Sequence, residues 1–122
     1  NDEHGHAAGD RVLAGVAERI REIVRSADAT YRVGGEEFVV LLPATQTGAG
    51  AAVAERIREA IAREPVAGVT VRMSFGVAGS PGESFRYSEA FSRADAAMLA
   101  AKQAGRDRVL TAPPALRSLA AA

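Results

Sequence analysis

Two glycines followed by two carboxylates, Gly34-Gly35-Glu36-Glu37, stand between two short apolar segments. Carboxylate oxygens suit a hard cation such as Mg²⁺, which is commonly held by one or two carboxylates together with substrate phosphates. The glycines, lacking a Cβ, let a ligand approach the backbone closely. Neighbouring side chains in extended backbone point to opposite faces, so Glu36 and Glu37 are expected to play different parts. Taken alone, the same four residues read equally as a solvated acidic turn.

Such a tip needs a rigid hairpin and helices behind it. Residues 29–33 and 38–42 are short apolar runs on either side of the paired glycines, whose tolerance of positive φ suits a tight turn, and Pro43 stops the second run. Residues 1–10 are polar and read as a loop entering a helix over residues 10–25, with Val12, Leu13, Val16, Ala17, Ile20, Ile23 and Val24 at helical spacing and Asp10 able to cap it. A second helix is expected over residues 47–63, with Val53, Ile57, Ala60 and Ile61 on its buried face. Over residues 69–78 apolar Val69, Val71, Met73, Phe75 and Val77 alternate with Thr70, Arg72, Ser74 and Gly76, the period of a strand. A turn follows at 80–83. A third helix starts at Phe85 or Ser88 and runs to Ala104, where Gly105 suits its end. Residues 108–110 form a last short strand. Residues 111–122 read as a tail outside the core, so the domain is set at 1–110. The expected class is α/β (α+β), a central, mostly antiparallel sheet flanked by helices.

Composition bounds the function. The chain has 122 residues, 48% of them apolar, enough for one domain with a real core. Fifteen basic residues balance fifteen acidic ones, which argues against a nucleic-acid coat or a membrane-surface role. There is no cysteine, so disulfides and thiolate metal sites are excluded, in keeping with a reducing compartment. No apolar run approaches the ~20 residues of a membrane span. The expected setting is a cytoplasmic domain without direct membrane contact, whose parent protein could itself be membrane-tethered.

Three ordered motifs narrow the reading. Residues 1–10 match N-D-x-x-G-H-x-x-G-D; Arg32-Val33-Gly34-Gly35-Glu36-Glu37-Phe38 matches R-x-G-G-[DE]-E-F; and Ala94-Asp95 with Ala101-Lys102 and Gly105-Arg106 matches A-D-x-A-x-x-x-A-K-x-x-G-R. In these motifs the chain resembles the GGDEF family of diguanylate cyclases, over about residues 1–110. The resemblance implies the family's nucleotidyl-cyclase-like, polymerase-palm-like fold and a reaction that joins two GTP into cyclic di-GMP.

Roles follow from the resemblance residue by residue. Asn1 and Asp10 match the readers of the guanine base. A carboxylate accepts from guanine N1–H and N2–H, whereas adenine N1 is itself an acceptor, so Asp10 implies GTP; the plainer reading of Asp10 is a helix cap. Glu36 matches a ligand of Mg²⁺ (or Mn²⁺), and Glu37 a second essential carboxylate. Gly34 and Gly35 complete that catalytic turn. Lys102 and Arg106 match residues that hold the triphosphate. Their plainer reading is stabilisation of a helix C-terminus, worth ~0.3–1 kcal/mol when exposed. Arg25-Ser26-Ala27-Asp28 matches the R-x-x-D of an inhibitory product site, with Arg56 as a second arginine. Arg can read guanine O6 and N7 bidentately. The plainer reading there is a charged helix end. His4-Gly5-His6 is taken as loop sequence rather than a transition-metal site.

The resemblance also places a D-x-D-x-F-K strand, carrying metal ligands, just ahead of Asn1. The sequence starts after it, so this chain by itself is expected to hold Mg²⁺ poorly and turn over little. Because one domain holds one GTP, the resemblance implies a homodimer for chemistry, with GTP as substrate and cyclic di-GMP as product and feedback inhibitor. The alternative is a non-catalytic cyclic di-GMP receptor or dimerisation domain.

Overall fold

A computed structural model describes residues 3–80 and 86–113, and the side chains from residue 7 onward. The elements run α1 (Glu3–Ile23), β1 (Ala29–Arg32), β2 (Phe38–Leu41), α2 (Thr47–Arg63), β3 (Phe75–Val77), α3 (Tyr87–Gln103) and β4 (Val109–Thr111). The mixed helix and strand class is the expected one.

The core forms where the helical apolar stripes meet. Val16 and Ile20 of α1 pack with Ile57 and Ile61 of α2 and with Val66, each at most 2% exposed. Phe38 and Val40 of β2 and Val71, Met73 and Phe75 close over this cluster. Full burial of one such side chain contributes roughly 1.5–3 kcal/mol. Arg19 on α1 ties the two helices at their ends. Its guanidinium donates to the carbonyls of Glu64 at 2.7 Å and Pro65 at 2.6 Å, which lie just past the end of α2. The C-terminal carbonyls of a helix lack intrahelical partners, and a basic side chain can satisfy carbonyls there.

The strands form two ladders. β1 and β2 pair antiparallel with Tyr31 opposite Val39, and β3 and β4 pair parallel with Gly76 opposite Leu110. No ladder joins the two pairs among the described residues. Gly76 fits β3 against α3: a Cβ there would overlap the Ala94 carbonyl and the Met98 amide of α3.

Three expectations are corrected. The opening is helical from Glu3, so Asp10 lies inside α1 and caps nothing; Ala7 and Ala8 favour helix enough to carry it through Gly9. The strand expected over residues 69–78 is a strand only at Phe75–Val77. Val71 and Met73 still face the core in alternation. The period was real, but regular pairing reaches only as far as β4 does. The final strand extends to Thr111, and Ala112 beyond it is 6% exposed with its amide donating to Val77 O at 2.7 Å. The first two residues assigned to the tail therefore belong to strand and core.

Candidate active site

The hairpin tip is shaped by the backbone signs that its glycines permit. Gly34 has φ +97° and Gly35 φ +48°. The Val33 amide donates to Glu37 O at 3.0 Å and the Glu37 amide to Gly34 O at 3.1 Å, closing the turn. A Cβ on either glycine would meet nothing within 4 Å, so conformation and not crowding calls for glycine, and the face beside the turn is open. Glu36 is exposed in the turn and Glu37, which follows it, is half-buried.

Arg32, the last residue of β1, brackets this turn and α1. Its Nε donates to Gly35 O at 3.0 Å. Its Nη2 lies 3.7 Å from Asp10 Oδ1 on α1, with the Asp10 side chain 73% exposed. An exposed pair of this kind contributes at most about 1 kcal/mol. Its interest is geometric, since it brings Asp10 and the Gly-Gly-Glu-Glu tip to one guanidinium. The sequence reading used Arg32 only as a motif letter; the R-x-G-G spacing was the available signal. Asn1, the other expected base reader, lies outside the described residues.

A divalent cation can be tested against these donors. Among the described residues no three His, Cys, Asp or Glu side chains gather as a metal cage. The donors on hand are the hard oxygens of Glu36, exposed on an open turn, with Glu37 beside it. They fit Mg²⁺ or Mn²⁺ held jointly with phosphates and water, the usual way Mg²⁺ is bound.

Lys102 and Arg106 sit at the end of α3, which packs on β3 and β4. The helix closes with the Gly105 amide on Lys102 O at 3.3 Å and the Arg106 amide on Ala101 O at 2.9 Å. With Gly105 at φ +126° this is a Schellman ending. The backbone thus satisfies the helix end by itself. Among the described residues neither the Lys102 nor the Arg106 side chain has a hydrogen-bond or ion-pair partner, which leaves both cations open to an anion.

Arg25, Asp28 and Arg56 come together within this one domain. All three line one cavity of about 410 Å³ between the end of α1 and the start of α2, with Val53, Thr45 and Leu42 among its walls. Arg25 Nη2 donates to Asp28 Oδ1 at 2.8 Å and Nε to Oδ2 at 3.2 Å. The same Nη2 reaches Pro43 O at 2.8 Å and Thr45 Oγ1 at 3.0 Å. Arg56 Nη2 donates to Ile23 O at 3.3 Å. The Arg25 guanidinium, hydrogen-bonded to the carboxylate, holds the Asp28 carboxyl below its ordinary range. The Ala44 and Thr45 wall, and the Pro43 carbonyl that accepts from Arg25, have no signal in the sequence: Pro43 reads there as a strand stop, and nothing local says that the chain after it turns back toward Arg25.

The comparisons with known proteins agree with this geometry. Residues 1–108 match the family described as Diguanylate cyclase, GGDEF domain. The diguanylate cyclase DgcP of Pseudomonas aeruginosa is 45% identical over 113 residues, covering 89% of this chain and 17% of its own length. The diguanylate cyclase DgcM of Escherichia coli is 41% identical, covering 92% of this chain and 27% of its own length. Among solved structures, the GGDEF domain of YfiN (TpbB) from Pseudomonas aeruginosa superposes with a TM-score of 0.81 at 33% identity, covering 94% of this chain and 74% of that one. The GGDEF domain of DgcB from Caulobacter crescentus, solved in complex with c-di-GMP, gives 0.72 at 33% identity, over 88% of this chain and 66% of that one. The chain belongs to the GGDEF diguanylate cyclase family, and it spans less than a third of these curated relatives.

Proposed function

We propose that this chain is the nucleotide-binding and catalytic part of a diguanylate cyclase that condenses two GTP into cyclic di-GMP and two pyrophosphates. The observation that carries this reading is the meeting of Asp10 and the Gly34–Glu37 turn at Arg32. It sets a carboxylate able to read guanine beside carboxylates able to serve a phosphate-bound cation.

The chemistry asks little covalent work of the protein. Each 3′-oxygen forms a bond to the α-phosphorus of the other GTP. The bond from that phosphorus to the bridging oxygen breaks, pyrophosphate departs, and the hydroxyl proton is lost to base. Positioning and charge dominate such transfers. Asp10 accepts from the N1–H and N2–H of guanine, with Asn1 as its partner reader. Glu36 would hold a divalent ion, and that ion when bound supplies neutralisation of phosphate charge. Glu37 is the second carboxylate of the turn. Lys102 and Arg106 bind the triphosphate, for which their free side chains are suited. Two domains face each other for the two attacks, so the working unit is a homodimer.

Arg25, Asp28 and Arg56 form the product site in this reading. They are supported by their common cavity, which is separate from the hairpin tip. That same cavity favours the second reading, a receptor for cyclic di-GMP without turnover. One experiment separates the two: product formation from GTP with saturating Mg²⁺ by the whole protein and its Glu36→Gln variant, beside calorimetry with cyclic di-GMP. Turnover that Glu36→Gln abolishes supports the cyclase. Product binding without any turnover supports the receptor, and wild-type turnover in the variant overturns the role of Glu36.

A further inference from the structure

The turn that carries Arg106 is held in an unfavourable backbone form from outside. Gly105, Arg106 and Asp107 have φ of +126°, +64° and +49° in succession. Glycine takes such angles freely and aspartate tolerates them, but an arginine in that region is uncommon and persists where its surroundings impose it. Nothing in the Schellman ending itself requires the second and third of these residues to continue left-handed.

The surroundings act on the neighbour, Asp107. Arg58 of α2 reaches across with Nη1 3.0 Å from Asp107 Oδ1, its side chain 22% exposed. Arg72 lies on the other carboxylate oxygen at 3.6 Å. The Asp107 amide donates to Ser74 Oγ at 3.2 Å. Arg58 is itself gripped by Glu55 one turn earlier on α2, through Nε to Oε1 at 3.0 Å and a second bond from Nη2 to Oε2. After Asp107, Arg108 Nε returns to Arg106 O at 3.0 Å and the Arg108 carbonyl accepts from the Phe75 amide at 2.9 Å. Apart from the Glu55 grip on Arg58, each of these bonds is to Asp107 or to the backbone around Arg106. The Arg106 guanidinium is left with no partner among the described residues.

A scaffold that fixes the main chain on both sides of a free cation is what a pre-organised anion contact requires, because the ordering cost is met before the ligand arrives. We propose that Arg58 is a positioning residue for the nucleotide triphosphate: through its ion pair with Asp107 it holds the left-handed turn and so aims Arg106. This rests on the reading of Arg106 as a triphosphate ligand. Arg58 touches no part of the nucleotide. It lies two residues from Arg56, which lines the cavity with Arg25, but its own guanidinium bonds to Glu55 and Asp107 instead.

The test uses the whole protein and two guanine nucleotides: α,β-methylene GTP, which cannot expel pyrophosphate, and GMP, which has the base but no β- or γ-phosphate. Arg58→Met keeps the stem and removes the charge. Asp107→Gly keeps the left-handed angle accessible and removes the carboxylate, so it carries the same test should Arg58→Met fail to fold. Loss of one charge-assisted contact predicts a roughly tenfold fall in affinity for the triphosphate analogue in either variant. GMP affinity should change by less than about twofold, the range of independent sites. Arg58→Lys, still cationic, should recover part of the loss. In an Arg106→Ala background neither change should weaken the analogue further. Unchanged affinity in both variants, an equal loss for GMP, or a full additional loss on top of Arg106→Ala each overturn the positioning role while leaving Arg106 as a ligand. An Arg106→Ala variant that binds the analogue as tightly as wild type overturns the triphosphate reading itself, and the proposal with it.

Discussion

Arg25 meets Asp28 through paired bonds, Nη2 to Oδ1 at 2.8 Å and Nε to Oδ2 at 3.2 Å, and the Arg25 amide closes on Oδ2 at 2.7 Å. The carboxylate side chain is 2% exposed while the guanidinium is 56% exposed. Asp28 is thus a buried anchor that presents a cation at the mouth of a cavity. Three residues of sequence separation are enough to build it, because the chain turns at 25–28 directly after α1.

The first expectation concerns that cation. A bidentate Arg–guanine contact discriminates by about 1–3 kcal/mol. Arg25→Ala should therefore weaken cyclic di-GMP binding about tenfold or more, and progress curves from GTP should lose their late slowing. Calorimetry with cyclic di-GMP measures the first and product formation over time the second. Unaltered product affinity would leave Arg25 as a helix-end charge only.

Asp28 makes a pH-dependent contribution with a defined sign. Its carboxyl is depressed in the folded state, chiefly by the Arg25 hydrogen bond. A depressed carboxylate stabilises the fold above its unfolded value of about 3.9, and that stabilisation fades as pH falls through the lower folded value. Urea midpoints measured from pH 6 to pH 3 should fall more steeply in wild type than in Asp28→Asn. The two curves should converge at the acid end. Parallel curves throughout would show that the pair contributes nothing to folding.

Base selectivity should reside in Asp10. Its side chain is 73% exposed and, among the described residues, pairs with Arg32 alone, at 3.7 Å, so it is available to a base. With mixed GTP and ATP the wild-type protein should make cyclic di-GMP, and Asp10→Ala should lose both rate and preference. Substantial cyclic GMP-AMP from wild type would exclude Asp10 as a guanine reader.

Gly76→Ala should destabilise by about 1–3 kcal/mol, the usual cost of overpacking. The added methyl would meet main-chain atoms of α3, which cannot rotate away as a side chain could. Thermal unfolding of the variant checks this. A melting temperature within about 1 °C of wild type would mean that β3 and α3 separate freely, since 1 kcal/mol shifts a domain of this size by roughly 4–8 °C.

Much of this was legible in the sequence, and for local reasons. The 3.6-residue apolar period placed α2 at Thr47–Arg63 and the faces of Ile57 and Ile61 correctly. Paired glycines called the positive-φ turn before Glu36, and Gly105 the Schellman end of α3. These signals depend on a few neighbouring residues, so they survive without knowledge of the rest. The grouping of Arg25, Asp28 and Arg56 came from the family resemblance and not from local signals, and all three line one cavity.

The tertiary structure decided what depends on partners remote in the chain. Alternation over residues 69–78 states which side chains face inward but not whether a neighbouring strand is there to pair, and regular pairing reached only Phe75–Val77. A polar, glycine-containing opening looked like a loop, yet it became the first turns of α1. Pro43 and Thr45 reached Arg25, Arg32 reached Asp10, and Arg58 reached Asp107 across 49 residues. A guanidinium on a long flexible stem can serve any acceptor within its reach, so its type and spacing announce a cation and leave the choice of acceptor to the packing of the helices beneath it.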